Sequence, residues 1–98
     1  MTQTVIHQPR VAWDAARAVV RAARDADYDR FAARVLDRLG AAEYGALGDT
    51  RARLLAWAEE HPGDRYMADV EAGKWRVRLQ DLMTYRPDAV EEIIRLTH

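Results

Sequence analysis

Fourteen of the fifteen basic side chains in this sequence are arginine, and their spacing is the first feature that could do chemistry. Arg17, Arg21 and Arg24 recur at helical intervals, and Arg30, Arg34 and Arg38 repeat the pattern shortly afterwards. A guanidinium presents a planar fork of donors that fits carboxylates and phosphates. If the two segments form a helical hairpin, their rows merge into one basic surface able to neutralise several phosphates. Trp13 and Val20 flank the first row, and an aromatic beside arginines suits base stacking or a protein partner. Asp14, Asp25, Asp27, Asp29 and Asp37 cancel much of that field. Interleaved charges of both signs are usual on a solvated helix face, and this simpler explanation of the rows is preferred. Arginine also replaces lysine along the whole chain, which points to a GC-rich coding genome more than to one ligand patch.

Other chemistry finds less support. Cysteine is absent, which removes disulfides, thiolate metal sites and cysteine nucleophiles. Serine and asparagine are absent too, and with them the commonest hydroxyl nucleophile and one amide donor. His7, His61 and His98 are scattered, and Glu59-Glu60-His61 with Asp64 is the one cluster of histidine and carboxylates. Pro62 and Gly63 interrupt it, and no HExxH spacing is present, so no metal is expected. Gly40, Gly45 and Gly48 lack the GK[ST] ending of a phosphate-binding loop. The carboxylate pairs Glu91-Glu92 and Asp25-Asp27 fall at expected helix starts, where the helix dipole explains them. No catalytic residue and no cofactor is therefore assigned, and the chain is expected not to be an enzyme.

The elements that would position these side chains are helical. Pro9 suits a first turn, and Val11 to Arg24 follows with Ala12, Ala15, Ala16, Val19, Ala22 and Ala23 on one face. Asp27 to Gly40 is the clearest segment. Tyr28, Phe31, Ala32, Val35, Leu36 and Leu39 form one apolar stripe, the second arginine row lies opposite, and Gly40 suits a C-terminal cap. Ala41 to Gly48 reads as a mobile connection because of Gly45 and Gly48. Asp49 or Thr50 is then a cap for a helix from Arg51 to Glu60, with Leu54, Leu55, Trp57 and Ala58 inward. His61-Pro62-Gly63 stops that helix.

Asp64 caps a fourth helix in which Tyr66, Met67 and Val70 face inward. Beyond Gly73, Lys74 to Gln80 alternates as a half-buried strand would, yet Trp75, Leu79 and Leu82 also keep helical spacing. Helix is preferred, because Thr4 to Ile6 is the sole candidate partner strand and a two-stranded ribbon is marginal. Pro87 opens a last helix whose edge is Val90, Ile93 and Ile94. The expected fold is all-α: a compact bundle of four or five short helices over residues 9–98, preceded by a flexible or short extended arm over residues 1–8. A helix-turn-helix built on Phe31 to Leu39 and Arg51 to Glu60 is disfavoured, since Gly40 to Thr50 exceeds the usual tight turn.

A chain of 98 residues can bury one core without staples. Its net charge of −1 gives no overall attraction to nucleic acid or anionic membranes. No apolar run approaches a membrane span or a secretory leader, so a cytoplasmic protein of bacterial or phage origin is expected. Three tryptophans and four tyrosines are generous for this length. Trp13, Tyr44, Trp57 and Trp75 are the aromatics with doubtful burial, and exposed aromatics mark partner sites. By elimination the leading expectation is a non-enzymatic interaction module, regulatory, adaptor or inhibitor, that docks a helical face on another protein. Trp13, Tyr44, Trp57 and Trp75 would anchor it, with Arg17, Arg21, Arg24, Arg30, Arg34 and Arg38 around them. Homodimerisation through the alanine face or the tryptophan edges is kept open. A nucleic-acid-binding regulator using the arginine rows is the alternative, and a small enzyme ranks third.

Overall fold

Helical periodicity becomes five α-helices in the computed structural model, which describes residues 8–97. They are α1 (Gln8–Arg24), α2 (Tyr28–Leu39), α3 (Ala41–Glu60), α4 (Tyr66–Tyr85) and α5 (Ala89–Thr97). The all-α bundle expected from the sequence is what the chain forms, with no strand among the described residues. The extended arm, His7 and His98 lie outside those residues. Gln8, assigned above to the arm, is the first residue of α1.

The small side chains of α1 explain its central position. Ala12, Ala15, Ala16, Val19, Val20 and Ala23 are all buried, and α1 packs on each of the other four helices, most extensively on α4. Alanines carry little bulk to hold a neighbour away, so helix axes come close. In α2 the inward residues are Ala32, Val35 and Leu39, while Leu36, expected in the stripe, is largely exposed. The Asp27 side chain makes no capping bond; its own N–H donates to Asp25 Oδ1 at 3.2 Å.

Two sequence expectations for α3 are corrected. Ala41 to Gly48 is no mobile connection, and Asp49 and Thr50 cap nothing, because a single helix runs through all of them. Gly40 alone separates α2 from α3. Its φ of +104° suits glycine; its N–H donates to the carbonyls of Val35 and Leu36, and its carbonyl accepts the N–H of Tyr44. Continuity comes from burial: Leu47, Thr50 and Leu54 face inward at helical spacing, beginning between the two glycines, and tertiary packing outweighs the glycines' low propensity. Leu55 and Ala58, by contrast, turn outward. A Cβ at Gly45 would meet nothing within 4 Å. Gly45→Ala should therefore stabilise the chain by about 0.5–1 kcal/mol, measurable by urea denaturation; a loss of stability would show that the glycine has a packing role.

Helix α4 settles the alternating segment. Trp75, Leu79 and Met83 are buried at four-residue intervals, whereas Val77 between the first two is 48% exposed. A strand would have put Val77 on the face of Trp75 and Leu79. Gly63, with φ +81°, sits in the turn before α4, and Asp64 Oδ1 accepts the Tyr66 N–H at 2.8 Å. Pro87 lies in the turn before α5, which begins two residues later and turns Ala89, Val90, Ile93 and Leu96 inward. No helix among the described residues is long and apolar enough to cross a membrane.

Candidate functional site

Because α1 meets α4 through alanines, the longer side chains at the edges of that seam project over an open cleft. It measures about 510 Å³. Arg17, Arg21 and Arg24 come to it from α1 and Arg65 from the residue that precedes α4. Val20, Ala68 and Ala72 make an apolar floor, and Asp69 is the single carboxylate on the lining. Trp13 stands at one end, 40% exposed. The guanidinium of Arg17 lies 5.5 Å from its ring centroid and that of Arg76 5.4 Å. Two cations against one indole hold the ring in place while leaving it accessible.

Within the described residues, none of Arg17, Arg21, Arg24 and Arg65 forms an ion pair within 4 Å. Four charged forks thus converge with one carboxylate to answer them. The cleft can accept carboxylates or phosphates around its rim and an apolar group on its floor.

The second arginine row goes elsewhere. Arg38 bonds Glu92 Oε2 at 3.3 Å and Arg34 donates to the Arg95 carbonyl at 3.3 Å, both on α5. Arg30 is exposed. The merged surface expected of a helical hairpin is therefore not formed: α1 turns its row to α4, and α2 turns its row to α5. Tyr44 is exposed on α3 at 43%, away from the lining of the cleft. Trp57 stacks on His61 with ring centroids 4.0 Å apart and lies 5.3 Å from the Tyr66 ring. This aromatic cluster occupies the end of α3 where the sequence offered a histidine and carboxylates; no group of three or more metal-ligating side chains occurs among the described residues.

Trp75 is corrected outright: it is 3% exposed and cannot anchor a partner. Its indole N–H donates to Thr50 Oγ1 at 2.8 Å, and that hydroxyl donates in turn to Glu71 Oε1 at 2.8 Å. Arg53 donates to the same carboxylate oxygen at 2.8 Å. Lys74 Nζ stands 3.2 Å from the other oxygen. Glu71 has no exposed surface. Burial pushes its pKa up, but the bonds from Arg53, Thr50 and Lys74 outweigh that and hold it below the usual glutamate value. The carboxylate in turn holds the Arg53 guanidinium above its ordinary value, through the hydrogen bond first.

Sequence reasoning missed this network. Its single available signal was helical spacing: Glu71 keeps i, i+4 register with Trp75, and Thr50 keeps i, i+3 register with Arg53. The network ties α3 to α4 and fixes the face that α4 turns to α1. Oε1 of Glu71 is satisfied by Thr50 and Arg53, while Oε2 is answered by the Lys74 ammonium alone, as an ion pair, and we assign the network a structural role. Comparison with family models, curated proteins and solved structures finds no match in any of the three.

Proposed function

We propose that this chain is a non-enzymatic interaction module whose α1/α4 cleft docks an acidic, amphipathic segment of another protein. The convergence of Arg17, Arg21, Arg24 and Arg65 over the floor of Val20, Ala68 and Ala72 carries this reading. An apolar centre with a charged rim is the usual anatomy of a protein interface, and Trp and Arg supply most of its energy. An amphipathic helix would set an apolar side chain on the alanine floor and offer carboxylates to the guanidinium forks. Trp13 would cover one end.

The apolar floor favours a peptide, which can set an apolar side chain on it, over a nucleic-acid backbone, which has no apolar group to offer. The test is titration of the full chain with a labelled peptide helix bearing leucines on one face and glutamates beside them. A counterpart with lysines for glutamates and a random DNA duplex serve as comparisons. The acidic peptide should bind alone, and Arg21→Glu with Arg65→Glu should weaken it by roughly tenfold or more. Binding to the duplex with a steep loss as salt rises would favour nucleic acid instead. Failure to bind either polyanion would overturn the proposal.

A further inference from the structure

The other edge of α4 carries a second surface, and no residue of the cleft contributes to it. At about 100° per residue, Tyr66, Val70, Gly73, Lys74, Val77, Asp81 and Tyr85 fall on one strip of the helix, opposite Trp75 and Leu79. Tyr66 is 59% exposed, Val77 48% and Tyr85 85%. The strip runs the whole length of α4, about 30 Å for twenty residues. Tyr66 lies beside the Trp57 ring and Val70 and Gly73 are half-buried, so the open part of the strip is Lys74, Val77, Asp81 and Tyr85.

The order of residues along the strip is self-complementary. Turn a second α4 antiparallel about a two-fold axis through the point between Val77 and Arg78. Each Lys74 then comes opposite Asp81 of the second copy, and each Val70 opposite its Tyr85. The two Val77 side chains meet beside the axis. Asp81 forms no ion pair among the described residues, and the second copy's Lys74 ammonium, although it stands 3.2 Å from its own Glu71, has further donors to offer it. The same residues must serve both sides of a two-fold interface, and this register meets that condition with opposite charges and with apolar pairs at once.

Two local features support close approach along the strip. A Cβ at Gly73 would meet nothing within 4 Å, so the chain's own packing does not require glycine in the middle of this helix, where it costs stability relative to alanine. A bare backbone at Gly73 leaves room for a neighbour at that edge of the strip. Beside the strip, a shallow groove of about 440 Å³ between α3 and α4 is lined by Glu43, Val77, Leu82 and Tyr85, among others, and would receive the partner's side chains.

We infer that α4 pairs antiparallel with α4 of a second copy, with Lys74–Asp81 ion pairs flanking a Val77–Val77 contact, so that the chain is a two-fold homodimer presenting two clefts. The expected alanine face is ruled out as the seam, since it is buried inside each copy.

Sedimentation equilibrium on the full chain, from micromolar to millimolar concentration, tests this. The wild type should show a monomer–dimer equilibrium. Val77→Glu and Asp81→Lys should each weaken it by roughly tenfold or more, because the two-fold doubles each like-charge contact. Both positions are exposed, so circular dichroism should show unchanged helicity. Because the chain has no cysteine, a short bis-maleimide should join Val77→Cys chains into dimers and leave the exposed Asp37→Cys chains unjoined. If Val77→Glu fails to fold, Asp81→Lys and the cysteine pair carry the same test. A wild type that stays monomeric to millimolar concentration, or a dimer indifferent to Asp81→Lys, would overturn the inference. Equal cross-linking at positions 37 and 77 would overturn it too.

Discussion

Arg53→Ala/Lys74→Ala should lose about 3 kcal/mol of stability at neutral pH. Breaking a buried ion pair by removing one side costs about 3–5 kcal/mol, because an uncompensated charge stays inside. The lower end applies here, since both cations are roughly half exposed and water will enter where they were. For a domain of this size each kcal/mol shifts the melting temperature by roughly 4–8 °C, so thermal denaturation will read it easily.

The pH dependence should reverse sign between the two proteins. In the wild type the folded-state pKa of Glu71 lies below the unfolded value of about 4.3. Its stabilising contribution is therefore complete above about pH 4.3 and is lost as pH falls through the folded value. In the double variant burial still raises the pKa, while the bonds that lowered it are reduced to the one from Thr50. The folded value then lies above the unfolded one, and acidification through that window protonates the buried carboxyl and relieves the variant. The stability gap should narrow as pH falls towards 4.3. Adding Glu71→Gln should remove that narrowing, and a gap independent of pH in the double variant would show that Glu71 is not what the cations compensate.

Leu79→Ala should cost about 2–5 kcal/mol by emptying a fully packed site, as Leu79 is 1% exposed. Val77→Ala, two residues away, should change the stability of the monomeric chain by about 0.5 kcal/mol or less. Urea denaturation at micromolar concentration or below compares the two without contribution from association. Similar losses at both positions would mean that the segment buries alternate residues, as a strand does.

That pair of positions shows how far the sequence could be read. Between Lys74 and Gln80 the two periods coincide, and burial alone separates Val77 from Trp75 and Leu79. Where apolar spacing was unambiguous, as in Asp27 to Gly40, the helix and its glycine terminus were legible. The first half of α3 was not. Gly45 and Gly48 signal a break locally, and the opposing burial of Leu47 and Thr50 depends on helices distant in the chain.

The candidate site was half legible for a similar reason. The row Arg17, Arg21, Arg24 could be read from spacing, but Arg65 joins it only through the packing of α1 on α4. The second row looks the same in sequence and is spent on α5, through Glu92 and the Arg95 carbonyl. Trp75 and Glu71 reverse the ordinary expectation, a doubtful aromatic and a charged residue both fully inside, because each supplies what the other's neighbour Thr50 needs: one donor and one acceptor.

Lys74 is the single lysine in the sequence, and it stands where the interior and the outer face of α4 meet. Its side chain is 58% exposed, yet its ammonium serves a carboxylate that no solvent reaches. Acylation of side-chain amines can therefore strike this chain at one address only. The neutral amide formed there would withdraw a countercharge from Glu71 and, on the inferred two-fold, from Asp81 of the second copy in the same event. With fourteen arginines and this one lysine, modification of the side-chain amine is a single-site probe of both.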